Sequence, residues 1–244
     1  MRSGTMSNLL ADQSSDSLRP VRRESYRQLV RDQLQEAILS GQLRAGEHIN
    51  ETAMAARFGV SATPVREAFR ELEEAGLIVV APHRGAVVRA LTRRDLDEMY
   101  SLRAHLERLA VRRAHPRLTD ADFAWLGSAI ERMVAVAQSG DVRALVEIDV
   151  DFHRYIFTKA DHALLLKTWS GINPSNWTHI TVQTLAQRGP VYIAERHWPV
   201  LDALKGGDVD AAEEAMAEHI HAIGEEVLRQ FQDVPADVAD VGGR

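Results

Sequence analysis

Apolar residues recur along this chain in two rhythms, and the change of rhythm divides it. From Tyr26 they fall at Tyr26, Leu29, Val30, Leu34, Ala37 and Ile38, the three-and-four spacing of a helix with one buried face. Ser40 and Gly41 end that helix. Asn50 can cap a short second helix with Ala53, Met54 and Phe58 turned inward. Gly59, Val60 and Ser61 make the next break. Ser61 or Thr63 can cap a third helix, and Pro64 is tolerated in its first turn because its missing N–H would go unused there. That helix buries Val65, Ala68, Phe69 and Leu72, and Gly76 stops it. Leu77 to Val80 and Ala86 to Val88 are short β-prone runs around Pro82, His83, Arg84 and Gly85, which predicts a hairpin. Three helices and a hairpin, with a tight turn between helices two and three, predict a winged helix-turn-helix.

After Leu91 only the helical rhythm remains. Thr92 with Asp95, and Thr119 with Asp122, form capping-box patterns. Helices are expected near 93–114, 119–138, 141–158, 161–171, 175–187, 190–205 and 208–231, punctuated by Pro116, Gly140, Gly171, Pro174, Gly189, Gly206 and Gly207. Pro199 should kink or restart the sixth of these. The expected organisation is a flexible tail over 1–18, the winged helix-turn-helix over 19–91, an all-helical domain over 92–232 and a second tail over 233–244. The fold class is mostly α.

Composition narrows the possibilities. The 244 residues are 45% hydrophobic, enough for a sizeable core, and only 6% aromatic, which leans away from a β-sandwich. No stretch approaches the length of uncharged apolar residues that a membrane span needs, and the first residues lack a secretory pattern. A cytoplasmic location with no membrane partner is expected. With 0 cysteines, disulfides, thiolate zinc fingers and cysteine nucleophiles are excluded. The net charge of -6 conceals a division. Residues 18–94 hold 13 Arg and no Lys against 9 acids, whereas residues 95–244 hold 15 basic against 24 acidic groups. A basic module followed by an acidic one points to two different partners.

A helix-turn-helix lays its second helix in the major groove, where residues near the helix N-terminus touch base edges. Here those are Ser61, Thr63 and Arg66, and a guanidinium at Arg66 can bond guanine O6 and N7 together. Arg70 is one turn further, placed for the DNA backbone. His83 and Arg84 sit at the hairpin tip, where a wing would meet the minor groove or sugar-phosphate edge. The alternative is that Arg66 and Arg70 pair with Glu67, Glu71, Glu73 and Glu74 on a solvated face. The run GVSATPVREAFRELEEAGLIVVAPHRGAVV resembles the winged helix of GntR-family bacterial repressors over roughly 24–90. The resemblance implies binding to double-stranded DNA as a homodimer on a pseudo-palindromic operator. Ala62 stands where that family usually has Arg, and His83 where it usually has Asn.

In the acidic half, polar residues fall on apolar stripes. The stripe Val142, Leu145, Val146, Asp149, Phe152, His153, Ile156 carries Asp149 and His153 one helical turn apart, aimed at one spot. A buried aspartate is costly unless paired or bound to a cation. His197 shares a face with Ile193, Val200, Leu201 and Leu204, and His219 edges the stripe Ala212, Met216, Ile220, Ile223, Val227. One Asp and three inward His suit a divalent ion such as Zn²⁺, Ni²⁺, Mn²⁺ or Fe²⁺. Taken singly, each is as readily a satisfied core residue. The region over roughly 95–231 resembles the FCD domain of FadR-type GntR repressors, many of which hold a metal by D-x-x-x-H and two later histidines. Asp149, His153, His197 and His219 match those positions.

His105, His115, His179 and His221 are expected at the surface or in supporting positions. Arg103, in the middle of the stripe Met99, Leu106, Ala110, either anchors an effector carboxylate or pairs with Asp149 or another acid. The reading that follows is a repressor responding to a small organic acid, not an enzyme. Neither an H-E-x-x-H motif nor a nucleophile motif occurs. A metalloenzyme fused to a DNA-binding module, or a direct metal sensor, is the alternative.

Overall fold

The computed structural model describes residues 24–81 and 85–231. The N-terminal part holds α1 (Glu24–Leu39), β1 (His48–Ile49), α2 (Glu51–Phe58), α3 (Ala62–Glu74), β2 (Ile78–Ala81) and β3 (Gly85–Val88). Its core joins Val30 and Leu34 of α1 to Val65, Ala68, Phe69 and Leu72 of α3, all nearly inaccessible to solvent, with Ile49, Ile78 and Ala86 of the sheet beneath. Four buried positions at three- and four-residue spacing on α3 give that helix one unambiguous inner face.

Three details differ from the sequence expectation. Tyr26 and Leu29 face outward, because α3 covers only the side of α1 carrying Val30 and Leu34. Ala55 rather than Ala53 is the buried alanine of α2, lying on one stripe with half-buried Met54 and Phe58. Ala53 instead donates its N–H to the Asn50 side chain that caps the helix. The hairpin also gains a third strand, β1, too short to show any alternation in the sequence. The order is β1-β3-β2, all antiparallel, with Ile49 opposite Ala86 and Val79 opposite Val87. Gly85 permits this: its φ is +85°, and a Cβ there would lie 2.4 Å from the Ile49 carbonyl oxygen.

The rest is helical: α4 (Arg93–Ala114), α5 (Asp120–Ser139), α6 (Val142–Lys159), α7 (Ala163–Gly171), α8 (Pro174–Thr184), α9 (Pro190–Glu195), α10 (Trp198–Lys205) and α11 (Val209–Gln230), with short 3₁₀ turns at His115–Arg117 and Ala186–Arg188. Both capping boxes form, Thr92 with Asp95 and Thr119 with Asp122, each tying a threonine side chain to the first turn. Caps of this kind contribute about 1 kcal/mol apiece. The expected helix over 190–205 is two helices that meet at His197, with Pro199 in the first turn of α10, the N-terminal position where proline costs no hydrogen bond. The segment expected as helix over 175–187 leaves the α-helix after Thr184.

α4 runs along α11 and also packs on α6. The two long helices approach so closely that a Cβ on Gly224 would lie 2.7 Å from Tyr100 Cγ. Among the described residues no helix is long and apolar enough to cross a membrane.

Candidate metal centre and DNA-reading helix

Five helices converge on one buried polar cluster. α6 supplies Asp149 and His153, the α9–α10 break supplies His197, and α11 supplies His219. Asp149, His153 and His197 are buried, and His219 is half-buried with its Nδ1 sealed from solvent and unpartnered. One nitrogen from each histidine lies within 4.8 Å of the others. Asp149 Oδ1 stands 3.2 Å from His197 Nε2, and Thr178 of α8 donates to Asp149 Oδ2 at 2.9 Å. The sequence-predicted quartet is therefore in one place.

Hydrogen bonds fix which nitrogens face the centre. His197 Nδ1 lies 3.1 Å from the Ala194 carbonyl oxygen, which can only accept, so Nδ1 carries the proton. His153 Nδ1 donates in the same way to the Glu107 carboxylate. In the neutral rings each Nε2 then holds a lone pair, and the two lie 3.3 Å apart. Two lone pairs at that distance repel unless a proton or a cation lies between them.

The electrostatics favour neutral His153 and His219 and ionised carboxylates. Burial pushes the His153 pKa below its ordinary value, against the opposing pull of Glu107. Burial, reinforced by the positive charge of Arg103, puts His219 well below 6.5. Burial also resists charge on Glu107, but His153 and Arg103 outweigh it and hold the carboxyl at about 2. Asp149 is likewise held below the usual carboxylate range, its desolvation offset by neighbouring positive charge that includes Arg103. Oxygen and imidazole donors of this kind fit a divalent transition ion.

Arg103 is buried, and its partner is Glu107 one turn along α4, at 2.6 Å from Nε. Asp149 is not that partner. Its two terminal nitrogens make no hydrogen bond to the described residues, which leaves a planar fork of donors beside the histidine cluster.

In the N-terminal domain, α3 presents Ser61, Thr63, Arg66 and Arg70 on its solvent face. Ser61 occupies the N-cap position without a side-chain capping bond, so its hydroxyl is uncommitted. Arg66 does pair with an acid, but with Glu51 of α2 at 2.7 Å rather than with a glutamate of its own helix. Such an exposed pair is worth little and yields readily to a better partner. His83 and Arg84 lie outside the described residues.

Comparison with known proteins accounts for both halves. Residues 19–88 match the family of bacterial regulatory proteins called gntR, and residues 98–222 match the FCD domain. The chain belongs to the GntR family. The "Probable D-xylose utilization operon transcriptional repressor" of Paenarthrobacter nicotinovorans is 36% identical over 202 residues, covering 79% of this chain and 84% of that one. The HTH-type transcriptional repressor RspR of Escherichia coli is 29% identical over 221 residues, covering 89% and 93%. Among solved structures, E. coli McbR/YncC superposes with a TM-score of 0.67 at 24% identity, over 85% of this chain and 99% of that one, which supports the fold. This GntR protein is thus a DNA-binding transcriptional regulator with an FCD domain, and its relatives are regulators rather than enzymes.

The structure adds residues that the stripe argument missed. Glu107 falls one turn after Arg103 on the buried face of α4, so helical spacing alone could have flagged it. Thr178 gave no such signal, because a threonine on a helix is ordinary until its neighbour is known. His179, expected at the surface or in a supporting role, is buried and bonds Gln183 at 2.9 Å, away from the cluster. Pro174 and Gly189 mark the ends of that segment in the sequence, but nothing local marks which face of α8 is buried. His105 and His221 are exposed.

Proposed function

We propose that this GntR regulator is a cytoplasmic, homodimeric repressor whose FCD domain holds a divalent ion through Asp149, His153, His197 and His219 and releases or grips its operator in response to a small organic acid. The observation that carries the reading is the pair of Nε2 lone pairs on His153 and His197, 3.3 Å apart with both Nδ1 protons already committed elsewhere. The orphaned Nδ1 of His219 beside them adds a third donor without a partner. A bound ion would act as the Lewis acid that accepts an effector carboxylate. The free fork of Arg103 supplies the second, bidentate contact that fixes the carboxylate plane.

Transmission to DNA has a physical route. Thr178 grips Asp149, and Asn176, two residues earlier on α8, accepts a hydrogen bond from Gln35 of α1 at 2.8 Å. α1 packs on α3, the helix that reads DNA. A change of load at Asp149 therefore reaches the reading helix through α8 and α1. On DNA, Arg66 gives up Glu51 to read a guanine, Ser61 and Thr63 bond phosphates or bases at the helix N-terminus, and Arg70 meets the backbone.

Elemental analysis of the purified protein, with and without chelator, tests the metal. One ion per chain is expected, and none in the His197→Ala or His219→Ala variant, while operator binding by fluorescence anisotropy persists in both. A panel of organic acids should raise the melting temperature of the metal-loaded protein only. Full metal content in both variants would return the histidines to the core.

A further inference from the structure

We infer that Glu67 reads a cytosine, accepting a hydrogen bond from its N4 amino group in the major groove, and so fixes a base of the operator that the arginines of α3 do not. The inference deepens the DNA contacts in the reading above, and rests on α3 being the helix that enters the groove. α3 buries Val65, Ala68, Phe69 and Leu72. At about 100° per residue, the line opposite that face runs through Thr63, Glu67 and Arg70, and all three are exposed. Glu67 is the one acid in the first two turns of the helix, with Arg66 before it and Arg70 three residues on. Neither arginine holds it. Arg66 turns to Glu51 at 2.7 Å, and Glu67 makes no hydrogen bond or ion pair with the described residues. Other acids of α3 are committed: Glu71 pairs with Arg27 and Arg31 of α1 at 3.2 and 3.3 Å, and Glu73 accepts the Val80 N–H at 2.8 Å. Those two brace the domain, and Glu67 braces nothing.

The chemistry of the groove chooses the base. A carboxylate on a surface that meets DNA repels phosphate, and so weakens binding to every sequence alike. That repulsion is offset only where a base edge donates a hydrogen bond to the carboxylate. In the major groove the donors are the amino groups of cytosine and adenine, whereas guanine and thymine present acceptors. Adenine also carries N7 beside its amino group, and this acceptor repels the second carboxylate oxygen. Cytosine presents its amino donor without an acceptor alongside. Glu67 therefore favours cytosine, tolerates adenine poorly and rejects guanine and thymine. Arg66 has the reverse preference, taking guanine O6 and N7. Positions 66 and 67 thus read opposite members of G·C pairs, and the acid adds selectivity where the arginines add affinity.

Selection of binding sites by the full chain from a random-sequence duplex library tests this. The wild type should enrich sites that share a cytosine at one fixed position. Guanine placed there should weaken binding about tenfold by fluorescence anisotropy. Glu67→Ala should lose that preference, keep the rest of the consensus and bind random DNA more tightly than the wild type. Glu67→Gln should exchange the cytosine for adenine, because an amide both accepts from adenine N6 and donates to N7. A side chain that merely shaped the helix would not produce that exchange. Arg66→Ala is the control for the helix itself, and should relax a different position. Melting temperatures should match the wild type, since Arg66 and Glu67 are both exposed. A wild-type consensus in both Glu67 variants, with an altered one in Arg66→Ala, would overturn the role of Glu67 alone. A consensus unchanged in all three variants would overturn it together with the placement of α3 in the groove.

Discussion

Asn176 Oδ1 accepts a hydrogen bond from Gln35 Nε2 at 2.8 Å, across 141 positions of sequence and from one domain to the other. Two residues along the same helix, Thr178 holds the Asp149 carboxylate. α8 therefore touches the candidate metal centre with one residue and the DNA-binding domain with another. Zinc added to the metal-free protein should slow amide hydrogen exchange in α1 as well as in α6. In Asn176→Ala the protection of α6 should persist and that of α1 should fall away. Equal protection of α1 in both proteins would remove α8 from the route.

Glu107 balances two groups at once, Arg103 and His153. Glu107→Ala leaves a buried guanidinium without its acid, a change that costs about 3–5 kcal/mol. It also frees the His153 ring, and loss of such a carboxylate support lowers metal affinity about 10–100-fold. Chemical denaturation of the metal-free variant measures the first effect, and competition with a metal-sensitive dye the second. A stable variant with unchanged zinc affinity would show the carboxylate to be dispensable.

Buried histidines make the stability of the metal-free protein depend on pH. His153 and His219 have native pKa values depressed below 6.5, chiefly by burial. A group of that kind binds its proton more readily in the unfolded chain. The metal-free protein should therefore lose stability as pH falls from about 6.5 towards the depressed native values. Glu107, held at about 2, adds a loss of the same sign at lower pH, as unfolded carboxylates protonate first. Bound metal should survive to a pH below 6.5, since neutral imidazole is the ligand form. Release centred above 6.5, followed by dye, would contradict the buried-histidine assignment.

Gly224→Ala sets two effects in opposition. Alanine is the better helix former by about 1 kcal/mol, but its Cβ would meet the Tyr100 side chain at 2.7 Å. Tyr100 is buried and hydrogen-bonded to Thr181, so its ring cannot swing aside freely. The clash should win, with a net loss of about 1–3 kcal/mol and a lower melting temperature. An unchanged or raised melting temperature would mean that α4 and α11 part without cost.

Arg66→Ala should weaken operator binding by about 1–3 kcal/mol and nonspecific binding by less, if its guanidinium reads a base. Glu51→Ala should have a much smaller effect, because the exposed pair it forms with Arg66 is dispensable once DNA is bound. Equal losses on operator and random DNA would make Arg66 a phosphate contact.

The order of helices, both capping boxes, the inner face of α3 and the helix break near Pro199 were all legible in the sequence. Each depends on residues within a turn or two of one another, where spacing alone sets geometry. The same holds for Asp149 with His153, one turn apart on an apolar stripe. What chain-local pattern could not decide was which distant residues meet. That Arg103 takes Glu107 and not Asp149, that Arg66 reaches back to Glu51, and that Thr178 closes on Asp149 depend on how whole helices pack. Tyr26 and Leu29 make the same point from the apolar side: they keep helical spacing yet are exposed, because no helix among the described residues covers them. Periodicity says which face of a helix is apolar, and only the packing of other elements says whether that face is buried and what its polar residues touch.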